Sequence, residues 1–267
     1  MNEARIPKLA GKTAIVTGGN RGIGRGLALG LAREGADVVF SWLSHPEEAE
    51  AVAAQIRGLG REAVTIQADM GKVADIEAMV ATAVARFGKI DILVNNAAIY
   101  PAHMFLNKTA QEVDQVFAVN LRGPFFCMQY VAKNMVEQGV KGSIINISSG
   151  HSVLGMPIGI SDYAATKGGL NALTRAVGAE LAHYGIRVNC LIIGPTRTPG
   201  MMQQPGMDLF EKYLLPTFPV PRFGEPEDYV GLLVWLASDE SNYSTCSCFT
   251  VDGGTTNALM FQPPPAK

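Results

Sequence analysis

The chain has only four histidines and four cysteines in 267 residues, and Cys127, Cys190, Cys246 and Cys248 form no Cys-x-x-Cys pair. That scarcity removes the usual ligand clusters of a zinc site and the paired thiols of a disulfide scaffold. Cys246 and Cys248 have no histidine near them in sequence, so they read as packing residues and no metal is expected. Charge is scarce too, at 17% of residues, with 22 Lys and Arg against 24 Asp and Glu. No dense basic run exists, which argues against nucleic acid or an anionic membrane as the main partner. No uninterrupted apolar stretch approaches the ~18 residues of a spanning helix. Residues 1–12 (MNEARIPKLAGK) lack the apolar core of a secretory leader, so the cytoplasm is the expected compartment. Missing as well is G-x-x-x-x-G-K-[ST], which argues against ATP as a phosphoryl donor.

What the chain does have is aliphatic residues in short runs. Strands are expected at residues 13–17, 37–42, 63–67, 90–94, 143–148, 186–192 and 247–251. Helical segments separate them, near 22–34, from 46, 73–87, 109–137, 161–183 and 226–237. Strand–helix alternation predicts a parallel sheet covered on both faces, a doubly wound, three-layer α/β/α fold. With no linker and no repeat, residues 1–267 are expected to form a single domain. Its ligand crevice should lie at the carboxyl ends of the strands.

The first strand runs into Thr17-Gly-Gly-Asn-Arg-Gly-Ile-Gly24. Glycines without Cβ atoms let the backbone turn sharply and approach a pyrophosphate at a helix N-terminus. Gly18, Asn20, Arg21, Gly22, Ile23 and Gly24 are therefore candidate cofactor ligands. The second strand ends in Ser41-Trp42, a second candidate pair, without the acidic residue that bonds a ribose diol in NAD sites. Arg21 is placed to meet a 2′-phosphate, so NADP(H) is favoured and NAD(H) remains open.

Tyr163 and Lys167 stand four residues apart, on one face of a helix. A tyrosine titrates near ~10, and a neighbouring cation lowers that value. Bringing it to about 7 takes roughly 4 kcal/mol, which a desolvated lysine and cofactor charge can supply together. A hydroxyl from Ser148-Ser149 would then hold a substrate oxygen while the phenol moves its proton.

The ordered set TGGNRGIG (17–24), ADM (68–70), NNAA (95–98), AVN (118–120), INISS (145–149), YAATK (163–167), VNCLIIGPTRT (188–198), PRFGEPED (221–228) and VDGG (251–254) resembles the short-chain dehydrogenase/reductase family. The resemblance covers nearly all of the chain. It implies a Rossmann fold and an NAD(P)-dependent alcohol dehydrogenase or carbonyl reductase. Tyr163 would be the general acid/base, Lys167 would hold the nicotinamide ribose, and Ser149 would bond the substrate oxygen. Asn120 would order a water connected to Lys167. Asp69 and Met70 would flank the adenine, Asn96 and Ala97 would line the adenosine side, and Gly194, Thr196 and Thr198 would meet the nicotinamide amide. It further implies a homotetramer, or a dimer, built through the two long helices and the C-terminal segment with Phe249 and Val251.

Four departures stand out. Ala98 takes a usual glycine position, Ile193-Gly194-Pro195 replaces Pro-Gly, and Thr245-Cys246 replaces Thr-Gly. Ser149 precedes Tyr163 by 14 residues, one more than is usual, with Ser148 as the fallback. The substrate reads as a secondary alcohol or ketone on an apolar body, from a methionine-rich lid near 199–221. His103 and His151 are candidates for substrate contacts. SWLSHPEEAEAV (41–52) resembles sugar 1-dehydrogenases of the family, which keeps an aldose open. A lyase or isomerase, and a nucleotide-sensing or scaffold protein without turnover, are the readings from other classes.

Overall fold

Seven runs of aliphatic and β-branched residues pair in parallel in this computed structural model, which describes residues 7–204 and 206–258. They are β1 (Thr13–Val16), β2 (Asp37–Trp42), β3 (Ala63–Gln67), β4 (Ile92–Asn95), β5 (Ser143–Ser149), β6 (Arg187–Ile193) and β7 (Cys248–Val251). The helices are α1 (Gly22–Arg33), α2 (Pro46–Gly58), α3 (Val73–Phe87), α4 (Ala110–Phe117), α5 (Gly123–Glu137), α6 (Ser161–Leu181), α7 (Pro199–Met202), α8 (Met207–Leu209) and α9 (Val230–Ala237). Residues 1–6, Pro205 of the expected lid and residues 259–267 lie outside the described residues.

Side chains alternate across each strand, so one sheet feeds two cores. Ala14, Val16, Val38, Phe40, Ile92, Val94, Ile145 and Ile147 face α1, α2 and α9. Ile15, Val39, Leu93 and Ile144 face α3 and α5, with Leu173 and Val177 of α6 packed at the margin. Each such aliphatic side chain stabilises the fold by about 1.5–3 kcal/mol when fully buried. Together they make the sheet rigid where function needs it.

Strand order is β3-β2-β1-β4-β5-β6-β7. The order reverses between β1 and β4, and crossovers leave on opposite sides of the sheet there. That opens a crevice at the carboxyl ends of β1 and β4. Beneath it a polar chain crosses the core: Asn95 Nδ2 donates to Asn146 Oδ1 at 2.8 Å, and Asn146 Nδ2 donates to Thr174 Oγ1 at 2.9 Å. It ties β4, β5 and α6 together under the site.

The segment expected as one helix over 109–137 is broken in the middle. Between α4 and α5 lies a π-helical turn, Ala118–Arg122, which contains the buried Asn120. Two residues explain the break. Pro124 has no N–H for the ladder, and Gly123 presses so closely on β3's exit that a Cβ would sit 2.4 Å from the Met70 carbonyl oxygen. Single π turns of this kind often mark functional positions.

The departures at 98 and 246 differ in kind. Ala98 is not among the residues with positive φ, so its methyl is harmless. Cys246 adopts a left-handed backbone, with φ 59°, a conformation that costs a side chain about 1–3 kcal/mol.

Candidate active site

The glycine loop is held from behind. Gly18 (φ 65°) and Gly22 (φ 52°) make the turn. Gly18 N–H donates to Ser41 Oγ at 3.1 Å, while Asn96 Nδ2 donates to the carbonyls of Thr17 and Gly18 at 2.9 and 3.1 Å. Asn96 and Ala97 also donate their N–H groups to Thr17 Oγ1. Asn20 Nδ2 donates to the Ser44 carbonyl at 2.9 Å, clamping the loop to the end of β2. The N-terminus of α1 has no side-chain cap and no acidic residue in its first turn. Its orphan amides are thus open to an anion, and the residues fit a dinucleotide pyrophosphate.

Several predicted ligands are already engaged within the protein. Ser41 is buried and spends its hydroxyl on Gly18, so it shapes the loop instead of facing a ribose. Trp42 is half-buried, with an enclosed Nε1 that has no hydrogen-bond partner among the described residues. Asp69 Oδ1 accepts from Gly71 N–H at 2.8 Å, and Met70 is buried beside it. Arg21 lies against the His45 ring at 3.4 Å, and its Nε is 3.6 Å from Glu48 Oε2. The sequence shows no acid at the end of β2, yet α2 brings Glu48 there. Arg21 is therefore partly neutralised before any phosphate arrives.

The four predicted catalytic residues converge from three elements. Ser149 ends β5, Tyr163 and Lys167 share one face of α6, and Asn120 sits in the π turn. Ser149 hydrogen-bonds Tyr163 and also accepts from His151 N–H at 3.2 Å. Ser148 points the other way and donates to the Lys167 carbonyl at 3.2 Å. Strand alternation thus turns Ser149, and not Ser148, toward Tyr163. Lys167 is buried, donates to the Ile147 carbonyl at 2.7 Å, and has its Nζ 5.6 Å from the centre of the Tyr163 ring. Asn120 grips Ile99 with both ends: Nδ2 donates to its carbonyl at 2.8 Å and Oδ1 accepts its N–H at 2.9 Å.

Burial dominates the electrostatics. It pushes the Tyr163 phenol up to about 12, opposed by the Ser149 hydrogen bond and reinforced by Tyr100. It pushes Lys167 down to about 8. In the protein without its cofactor desolvation wins, because both groups are poorer in charge-stabilising surroundings than in water; the expected lowering of the phenol rests on Lys167 and cofactor charge together. His151 is likewise held below its ordinary value by burial.

Ser149, His151, Tyr163, Gly194, Thr196, Thr198 and Ile23 all border one cavity of about 490 Å³. Its other walls are mostly apolar, from Tyr100, Leu154, Met156, Ile160, Met201, Met207 and Phe210. The expected nicotinamide ligands and the expected reacting groups therefore share one space. Among the described residues no group of three His, Cys, Asp or Glu side chains converges as metal ligands.

Residues 18–256 match the family described as enoyl-(acyl carrier protein) reductase. The chain is a short-chain dehydrogenase/reductase. Among relatives of this short-chain dehydrogenase/reductase, the L-rhamnose 1-dehydrogenase (NAD(P)(+)) of Sphingomonas sp. (strain SKA58) is 37% identical over 246 residues, 92% of this chain and 96% of the relative. The 2,5-dichloro-2,5-cyclohexadiene-1,4-diol dehydrogenase of Sphingobium indicum is 39% identical over 250 residues, 93% and 98% of the two chains. A blue fluorescent protein from a metagenomic library, solved in complex with NADPH, superposes with a TM-score of 0.86 at 32% identity, covering 94% of this chain and all of that one. This short-chain dehydrogenase/reductase is an NAD(P)-dependent oxidoreductase.

Sequence reasoning did not single out Tyr100, whose ring meets Tyr163 edge-on at 5.6 Å. It also missed Thr255 and Thr256 on the cavity wall, and Glu48 beside Arg21. His103 instead leaves the cavity and pairs with Glu112. No local pattern marks these residues, because each is brought in by a crossover or a loop return.

Proposed function

We propose that this enzyme transfers hydride reversibly between NADP(H) and the carbinol carbon of a secondary alcohol borne on an apolar, ring-shaped body. The observation that carries the reading is the placement of Ser149 and Tyr163 on the wall of a cavity otherwise lined by apolar side chains. When bound, the nicotinamide supplies or accepts the hydride. Gly18, Gly22 and the first turn of α1 hold the pyrophosphate, and Thr196 and Thr198 orient the nicotinamide end. Ser149 donates to the substrate oxygen. Tyr163 takes the alcohol proton during oxidation and returns it during reduction. Lys167 carries its charge below about pH 8 and favours phenolate there. Asn120 holds Ile99 and so the wall that carries Tyr100. The helical pieces from Pro199 to Thr217 close over the substrate and exclude water.

The test is absorbance of reduced nicotinamide with a panel of cyclic alcohols and ketones, 3-oxoacyl thioesters and aldoses. Fast turnover of ring alcohols and ketones is the expected result, and turnover confined to aldoses would replace the reading with a sugar 1-dehydrogenase. That second reading is supported by the relative that acts on L-rhamnose. A change of substrate without cofactor turnover would instead indicate a lyase or isomerase.

NADP preference follows from Arg21 at the glycine loop. Arg21→Ala is expected to raise KM for NADP about tenfold or more while leaving KM for NAD nearly unchanged, since a lost charge-assisted bond to phosphate is worth ~1.5–3 kcal/mol. Glu48→Gln should shift the preference further toward NADP, and steady-state kinetics with both cofactors decides the matter.

Residues 1–267 act as one domain in this reading, in the cytoplasm; among the described residues no helix is long and apolar enough to cross a membrane. The assembly is a homotetramer. What supports it is an apolar groove along α4, α5 and α6, bordered by Phe117, Leu121, Phe125, Ala172 and Ala176. Phe117 and Phe125 stay exposed in the isolated chain, and small residues on α6 permit close approach of a second helix pair. Light scattering on the eluting protein is expected to give four times the 28.4 kDa chain mass, and a monomer would reject the assembly.

A further inference from the structure

Lys108 and Asp162 form a buried ion pair beside the reacting groups, with side-chain exposures of 6% and 3% and an Nζ–Oδ2 distance of 2.8 Å. Burying two charges is costly, and an apolar pair of similar volume commonly does as well or better for stability. The fold therefore has no evident need for it here.

Its bonds run to the site. Lys108 Nζ also donates to the Pro101 carbonyl at 2.7 Å. Asp162 Oδ1 accepts the N–H of Tyr163 at 2.9 Å. One pair thus joins the loop after β4 to the first turn of the helix that carries Tyr163. Tyr100 lies between two pinned neighbours: Asn120 holds Ile99 and Lys108 holds Pro101. A third tie, from His103 N–H to the Gly159 carbonyl at 3.0 Å, fixes the loop to the opposite rim of the cavity. The Tyr100 ring then meets Tyr163 at 5.6 Å and 60°.

We propose that Lys108 and Asp162 are positioning residues for the reaction, a clasp that sets the Tyr100 wall against Tyr163 and cancels a carboxylate next to it. The inference rests on Tyr163 being the acid/base, as argued above. Charge cancellation matters because an unpaired anion beside a phenol disfavours phenolate. The titratable and polar groups around Tyr163 are Lys167 on its own helix, Ser149 and His151 from the end of β5 and its loop, Tyr100 from the loop after β4, and the Lys108–Asp162 pair. Lys167 and the paired Lys108 are the cations among them, and Asp162 is the carboxylate.

Two variants separate position from charge. In Lys108→Met the carboxylate loses its partner and Pro101 loses its donor. In the double variant Lys108→Met with Asp162→Asn the charge is gone but the Pro101 contact is still missing. Tyr163 ionisation is read in the protein loaded with oxidised cofactor, as near-ultraviolet phenolate absorbance against the same protein carrying Tyr163→Phe. Lys108→Met should ionise at higher pH by about one unit, and kcat should fall about tenfold or more, with cofactor Kd unchanged. The double variant should recover the ionisation but not kcat, because the wall remains unpinned. Lys108→Arg should recover part of both. A single variant with unshifted ionisation, or a double variant with full kcat, would overturn the proposal and leave the pair a stability element. If Lys108→Met does not fold, the double variant, which buries no unpaired charge, carries the kcat arm and Lys108→Arg the ionisation arm. The titration needs no substrate. Absence of turnover in the unaltered enzyme would therefore count against the oxidoreductase reading, while the titration still judges the clasp.

Discussion

Tyr163→Phe is expected to lower kcat by about a thousandfold while leaving cofactor affinity within about twofold, because positioned acid–base groups contribute typically 10²–10⁴. The substitution removes one oxygen from a ring whose packing stays. Among the described residues its hydroxyl bonds Ser149, and Ser149 keeps its bond from His151 N–H, so the stability change should be small. The phenol is held at about 12 by burial in the isolated protein. In the proposed mechanism oxidation of alcohol needs it as phenolate, so the oxidation rate of the unaltered enzyme should rise with pH. Phenylalanine has no such ionisation, and the residual rate of the variant should lose that rise. Stopped-flow turnover across pH, with cofactor titration by fluorescence in parallel, gives both quantities. Wild-type kcat in the variant would remove Tyr163 from the mechanism.

Gly24→Ala should do the reverse and abolish cofactor binding before chemistry is reached. A Cβ at Gly24 would stand 2.0 Å from the Gly18 carbonyl oxygen and 2.6 Å from Asn96 Nδ2. Neither is the free end of a flexible side chain. Gly18 O is backbone, and Asn96 Nδ2 already bridges Thr17 and Gly18. The loop must open to admit the methyl, and the approach of backbone to pyrophosphate is lost with it. A destabilisation of about 1–3 kcal/mol is expected, as for other overpacked sites. Cofactor affinity should fall about a hundredfold or more, equivalent to ~2.7 kcal/mol. Gly58→Ala is the control. It lies in α2 with nothing within 4 Å of the added atom, and it should raise stability by about 0.4–1 kcal/mol by restricting the unfolded chain. Thermal melts and fluorescence titration of all three proteins distinguish a loop-specific effect from a general glycine effect.

The contrast between these two positions also shows how much was legible beforehand. The glycine loop is a local device: its strand, turn and helix are consecutive, so their spacing carries the geometry. Tyr163 and Lys167 are local too, because one helical turn joins them. The seven strands are found within a residue or two of where alternating aliphatic runs place them, since each needs only its own hydrophobic pattern to be recognised. The break in the helix over 109–137 was less visible. Pro124 was in plain sight, but the contact that requires Gly123 comes from Met70, which is far away in the chain.

Other features depended on chain segments meeting. Ser148 and Ser149 are alike in sequence, and only the alternation of β5 against α6 turns one to the Lys167 backbone and the other to Tyr163. Glu48 reaches Arg21 through a crossover, and Lys108 reaches Asp162 across 54 residues. The sign of the Tyr163 shift was hidden for the same reason. A cation four residues away is a sequence fact, whereas desolvation is set by everything packed around the phenol. By itself the sequence determined the sheet, the glycine loop and the pairing of Tyr163 with Lys167 on one helix face, since each is encoded in short-range pattern and spacing. Which serine faces Tyr163, which charges are paired and which side chains line the cavity were decided only by the tertiary structure, because distance in space and exclusion of water have no local signature.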